Sequence, residues 1–262
     1  MHIIYADGIG SSAPGVVHED SVLYDVIDRL VILNREYKPD RVIWPASMAG
    51  VGGVQSWDES TRLGVENIDY IVDGLNGETF ILLGYSGGCR VIREWLMKNE
   101  HRLAQVVAVG MLSDPFRPKG RKQAELPDTL GWGICGQELG PIPDRTYWTT
   151  VPGDVISDAR EDSLLRTAAD ASNVMPGQFI GDLAKHLNDG DLQLAYQLKV
   201  FRQNPVKWLF NLGPRLHQAR IDIEGYLGGQ HTTAYQKPYA GGGSLAQRLA
   251  DSINWKATHR TN

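Results

Sequence analysis

The chain has 262 residues, 22% of them charged and 42% hydrophobic, which is enough apolar material for a sizeable core. Lys plus Arg number 26 against 31 for Asp plus Glu, a net charge of −5 with no basic run, so a surface built to neutralise nucleic-acid phosphates is excluded. Two cysteines, Cys89 and Cys135, are too few for a disulfide framework, and no apolar stretch is long enough to span a bilayer.

In chain order, His2–Ala6 is a short β-rich run that stops at a Gly-rich turn, Asp7-Gly8-Ile9-Gly10. It carries neither the basic segment nor the long apolar segment of a secretory signal peptide, so synthesis in a reducing cytoplasm is expected. Val22, Val26, Leu30 and Leu33 recur at helical spacing and predict a helix over about Glu19–Leu33. Arg41–Trp44 reads as the next strand. Trp57–Leu75 reads as a longer helix, with Gly64, Ile68, Ile71, Val72 and Leu75 on one stripe. Thr79–Leu83 is a near-continuous apolar run of the kind found in strands covered on both faces. A helix carrying Val91, Ile92, Trp95 and Leu96 follows, then a buried strand at Val106–Val109. A Gly/Pro-rich loop occupies Ser113–Pro143, and Thr146–Val151 is the next strand.

Strands separated by helices predict right-handed crossovers and a mostly parallel sheet, the α/β class. Residues 157–229 break the rhythm with helical stripes and little strand character, so they are expected to form a helical insertion or cap on a single domain spanning 1–262. The last helix is expected at about Ser244–Trp255.

The chemistry centres on Gly84-Tyr85-Ser86-Gly87-Gly88, a G-x-S-x-G pattern. In a glycine-rich chain the pattern alone is weak, and it also describes an ordinary Gly-rich turn. Its context is informative, because it follows the most strand-like run and precedes an amphipathic helix. That is the nucleophile elbow of an α/β-hydrolase, where the serine sits on a strained turn. A nucleophilic serine needs a base and an orienter, in the chain order Ser, acid, His.

The carboxylate expected in a loop after a later strand is Asp154, in Val151-Pro152-Gly153-Asp154, with Asp158 as the alternative. Of seven histidines, His2 and His18 precede the serine. His101 looks exposed, His186 and His217 fall on insertion helices, and His259 lies in a polar tail. His231 stands in a Gly-rich loop just before the last helix, where the base belongs. The oxyanion donors expected are the Gly87 N–H and the Ile9 N–H of the first loop. That loop lacks the third spaced glycine of a dinucleotide site, since position 13 is Ala. No His/Cys/Asp cluster has metal-ligand spacing, so neither metal nor cofactor is expected.

These motifs resemble the cutinase-like serine esterases, an α/β-hydrolase family, and more closely the lysin B proteins of mycobacteriophages. The flanks carry the closer resemblance: Trp57-Asp58-Glu59-Ser60, the Val109–Gly120 segment with Ser113-Asp114-Pro115, the Gly131-Trp132-Gly133-Ile134 loop, the insertion between acid and His, and Gly243–Ala250. The chain departs from the family in having Gly87 where Gln is usual and Ile9 where cutinases have Ser or Thr.

The resemblance implies an esterase that cleaves mycolic acids from arabinogalactan. It implies Ser86 as nucleophile, His231 as general base and Asp154 as its orienter. It further implies a protein made in the host cytoplasm that acts at the envelope once the inner membrane is breached, and that contacts the lipid envelope there. Tyr85, Phe179, Trp208 and Phe210, with Ile180 and Leu209, are candidates for a long acyl chain, or else pack the insertion onto the sheet. Two alternatives stay open: a general lipase or cutinase-type carboxylesterase, and a non-catalytic envelope-binding protein on a hydrolase scaffold.

Overall fold

The structure is a computed structural model, and it describes residues 1–11, 21–48, 51–123, 126, 128–136, 142–166 and 205–259, with the backbone alone for 205–212. Among the described residues five strands form one sheet, β1 (His2–Ala6), β2 (Lys38–Arg41), β3 (Phe80–Tyr85), β4 (Val106–Leu112) and β5 (Thr146–Thr149). Their order is β2-β1-β3-β4-β5, and every neighbouring pair is parallel. The α-helices among the described residues are α1 (Val22–Leu33), α2 (Trp57–Gly74), α3 (Gly87–Lys98), α4 (Pro205–Gly225) and α5 (Leu245–Thr258). None of the described helices is long and apolar enough to cross a membrane.

The apolar strands are two-faced because side chains alternate across a strand. Ile3, Tyr5, Ile81 and Leu83 face α1 and α5 and pack with Leu23, Leu30, Leu249 and Ile253. Ile4, Ala6, Phe80 and Leu82 face α2 and α3 and pack with Ile68, Val91, Ile92 and Trp95. A sheet covered on both sides leaves its strand ends as the place for a site. The chain runs from β1 outward to β2 and then returns to the other side of β1 as β3. The carboxyl ends of β1 and β3 therefore flank the switch point, where open parallel sheets bind ligands. Together with the turn that joins β3 to α3, this is an α/β-hydrolase fold.

Helix starts follow local chemistry. Ser21, Ser56 and Ser244 each accept a backbone N–H as N-caps, and Ser244 with Gln247 forms a full capping box. One strand differs from expectation. The hydrophobic run Arg41–Trp44 was the expected element, but the ladder is formed by Lys38–Arg41. Pairing with β1 selects it: His2 to Tyr5 oppose Lys38 to Arg41, and past Val42 N, which bonds Tyr5 O at 2.8 Å, β1 has ended. Charged residues and Pro39 are tolerated because β2 is an edge. Of the expected insertion, 167–204 lie outside the described residues. Its last part is α4, whose Ala219 and Ile223 pack on Ile134, Val155, Leu164 and Leu165.

A buried ion pair ties α3 to the end of β4. Arg93 and Asp114 are both fully buried. The Arg93 Nε donates to Asp114 Oδ2 at 2.9 Å, and its Nη2 donates to the same oxygen. Trp148 Nε1 and Phe116 N complete the carboxylate's partners at 3.0 and 2.9 Å. Breaking such a pair strands a buried charge. Arg93→Ala is expected to cost about 3–5 kcal/mol of stability, read as a lower urea midpoint. A loss under about 1 kcal/mol would mean the pair contributes little.

Candidate active site

Ser86 occupies the one-residue turn between β3 and α3 with φ 52° and ψ −125°. Positive φ is strained for a residue with a Cβ. The flanking glycines explain how the turn closes. A Cβ on Gly84 would lie 2.8 Å from Cys89 Cα, and one on Gly88 would collide with the Ala6 carbonyl. Neither backbone neighbour can yield, so β3, α3 and β1 approach this closely only over glycine. The serine N–H donates to Leu112 O at 3.0 Å, which anchors the turn to β4.

His231 follows a π-helical segment, Tyr226–Gln230, in which Gly229 takes φ 93°. Its Nε2 stands 2.9 Å from Ser86 Oγ. Its Nδ1 stands 3.2 Å from Asp154 Oδ1 and 2.9 Å from Ser113 Oγ. Two tyrosine rings stack on the imidazole. Tyr85 stacks at 5.3 Å and Tyr226 at 5.0 Å between ring centres, both within about 23° of parallel. Tyr85 also donates its hydroxyl to His231 O at 2.7 Å. Tyr85 is thus buried against the imidazole, with its hydroxyl already engaged.

Asp154 is buried and heavily solvated by protein donors. Oδ2 accepts from Tyr235 OH at 2.5 Å, Ser113 Oγ at 2.5 Å and Ser157 Oγ at 3.1 Å. Oδ1 accepts from Ile156 N at 3.1 Å. Burial alone would raise its pKa, but His231 and the Ser113 and Tyr235 hydroxyls outweigh it and hold the carboxyl below its ordinary value. Tyr235 moves the other way. Burial, then the neighbouring Asp154, push its phenol well above the usual range, so it stays a donor.

Asp158, the alternative acid, faces elsewhere. It accepts Gly131 N at 2.8 Å and Gly153 N at 3.0 Å and pairs with buried Arg117. Arg117 also donates to Ser157 O at 2.6 Å and Gly131 O at 3.0 Å. This clamp fixes the 153–158 loop that presents Asp154.

The first loop lies across the serine. Asp7, buried, accepts Gly8 N at 2.8 Å and Ser21 Oγ at 2.7 Å, and burial raises its pKa despite both bonds. Gly8 N–H is therefore committed to Asp7, and Gly10 N–H to Ala46 O at 2.8 Å. Ile9 N–H and Gly87 N–H take no partner among the described residues. A Cβ on Gly87 would lie 2.6 Å from Ile9 Cγ1, so the isoleucine side chain fills the room that any longer residue at 87 would need. The two departures from the family pattern are one packing unit.

Of the other expected contacts, Phe179 and Ile180 lie outside the described residues. Trp208, Leu209 and Phe210 lie on α4, where only the backbone is described. Sequence reasoning did not single out Ser113, Tyr226, Tyr235 or Arg117 for roles at this site. Cys89 is buried beneath the elbow, its thiol on Leu112 O at 3.5 Å.

No protein-family model and no curated protein matches the sequence. Among solved structures, a cutinase-like protein from Cryptococcus sp. is 15% identical, with TM-score 0.46, covering 68% of this chain and 91% of its own. The catalytic core domain of acetyl xylan esterase from Trichoderma reesei is 14% identical, with TM-score 0.44, covering 65% and 90%. Lysin B from Mycobacteriophage D29 is 17% identical, with TM-score 0.41, covering 100% and 91%.

Proposed function

We propose that the protein is a serine carboxylesterase and that its substrate is the ester between mycolic acids and arabinogalactan. The observation that carries the esterase reading is the 2.9 Å approach of His231 Nε2 to Ser86 Oγ on a positive-φ elbow. The mycolyl substrate is supported by the sequence resemblance of the flanks and the insertion to lysin B proteins.

Ser86 Oγ attacks the ester carbonyl while His231 Nε2 takes its proton. The carbonyl oxygen becomes an oxyanion held by Gly87 N–H and Ile9 N–H, two donors with no competing partner among the described residues. The imidazolium, stacked against Tyr85 and Tyr226, returns the proton to the departing sugar oxygen. Water then enters. His231 takes its proton, and attack on the acyl-serine releases the acid and restores Ser86. Asp154 holds the imidazole with Nδ1 protonated, the tautomer that leaves Nε2 free to accept. In this reading the enzyme is made in the host cytoplasm and meets its lipid-rich substrate once phage lysis breaches the inner membrane.

The test incubates the purified protein with mycolyl-arabinogalactan and, separately, with a chromogenic fatty-acyl ester. Release of free mycolic acid together with chromophore is expected. Chromophore alone would replace the substrate with a general carboxylester. Neither, with retention on cell-wall material and no labelling by a phosphonate, would replace the enzyme with a binding protein.

A further inference from the structure

We infer that Ser113 is a positioning residue through which Asp154 holds His231, so that the buried hydroxyl stands in the line between base and acid. The inference rests on the reading of Ser86 as nucleophile and deepens it.

The argument is one of proton counting. Nε2 accepts from Ser86, so the imidazole proton is on Nδ1. The nearest acceptor to Nδ1 is Ser113 Oγ at 2.9 Å, closer than Asp154 Oδ1 at 3.2 Å or Oδ2 at 3.4 Å. Ser113 has one proton to give. Its other partner, Asp154 Oδ2 at 2.5 Å, belongs to a carboxyl held below its ordinary pKa and therefore only accepts. The serine proton must point at Asp154, and the serine lone pairs are left for Nδ1–H. A single direction of donation then runs from Ser86 through His231 and Ser113 to Asp154, with no donor facing a donor. Rotating the Ser113 proton toward Nδ1 would set two hydrogens against each other and leave Oδ2 short of a strong bond.

The backbone supports a specific placement. Ser113 is fully buried, has φ 51°, and is the first residue beyond β4, with its N–H on Thr149 O at 3.0 Å. A non-glycine residue at that φ is held against a local cost by the surrounding structure. The remaining hydroxyls make room for it. Tyr235 and Ser157 also reach Oδ2, and Thr150 Oγ1 lies 2.5 Å from Ser157 Oγ, so the carboxylate stays fixed while Ser113 bridges.

The test compares wild type, Ser86→Ala, Ser113→Gly and Ser113→Ala. Glycine removes the hydroxyl and relieves the positive φ, so its fold is not placed at risk by strain. The first readout is steady-state kinetics on the chromogenic ester. The second is the downfield proton resonance of His231 Nδ1–H, identified by its loss in His231→Ala. The Ser113 variants are expected to lose about tenfold or more in kcat with KM within about twofold, because the interaction orients the base rather than the substrate. The Nδ1–H resonance is expected to move upfield or vanish by exchange. Either kcat within about twofold of wild type or an unmoved resonance would overturn the inference. Hydrolysis that persists in Ser86→Ala would instead remove the nucleophile reading, and the resonance would still decide what Ser113 does to His231. Should the glycine variant not fold, Ser113→Ala is judged by the same two readouts.

Discussion

Ser86→Ala is expected to lower kcat for a fatty-acyl ester by about 10⁶, leaving only the weak catalysis of binding and the oxyanion donors. It is also expected to abolish covalent labelling by an alkyl phosphonate. The size follows from the unit character of the site: without the hydroxyl, His231 Nε2 has no proton to take, and the rest of the chain of bonds is idle. Circular dichroism and the urea midpoint should stay close to wild type, since among the described residues the serine hydroxyl bonds only to His231. Ser86→Gly separates chemistry from strain. It is equally inactive, yet expected to gain about 1 kcal/mol, because glycine adopts φ 52° without the Cβ clash. Steady-state rates and denaturation of the three proteins check both statements. Hydrolysis by Ser86→Ala within about a hundredfold of wild type would place the nucleophile elsewhere.

Asp154→Asn is expected to lower kcat by about 10⁴ with little change in KM. The amide fits neither orientation without rearranging the hydrogens around it. With its NH₂ at the Oδ2 position it faces the Ser113, Tyr235 and Ser157 hydroxyls, all of which donate there. With its NH₂ at the Oδ1 position it faces Ile156 N–H and the Nδ1–H of His231. The second arrangement is relieved by moving the imidazole proton to Nε2, which deprives Ser86 of its base.

The same substitution changes the pH dependence of stability. The Asp154 carboxyl is held below its ordinary value of 3.8, so in wild type it contributes stability that is present above that value and is lost as pH falls through the lower, folded value. Asparagine has no such titration. The gap in urea midpoint between the two proteins should therefore be wide near about pH 7 and narrow near about pH 3. A gap that widens toward acid would mean that burial, not the donors, governs this carboxyl.

The elbow was legible because everything that makes it is contiguous. A strand, two glycines around x-Ser-x and an amphipathic helix lie within twenty residues, and the close approaches at Gly84 and Gly88 demand those residue types. The apolar strands at Phe80–Tyr85 and Val106–Leu112 were legible for a similar reason, since burial on both faces leaves a run with no polar phase. Asp154 and His231 were reached by chain order and loop position.

Sequence alone therefore determined the α/β alternation, the mostly parallel sheet and the serine turn, because these depend on local pattern and short-range sterics; the strand order that sets the switch point was read only from the folded sheet. Tertiary structure decided the rest. It selected Lys38–Arg41 over the more hydrophobic Arg41–Trp44 as β2, because a ladder runs only as far as its partner strand. It turned Asp158 toward Arg117 and Asp154 toward His231, although both carboxylates share one loop. It brought Ser113 from the end of β4 and Tyr226 and Tyr235 from either side of His231 around the acid and the base, and it seated Ile9 over Gly87. Hydroxyl direction, ring stacking and the partnering of a buried carboxylate depend on which loops meet at the strand ends. No periodicity records that meeting, because the residues involved are neither patterned nor adjacent until the sheet has formed.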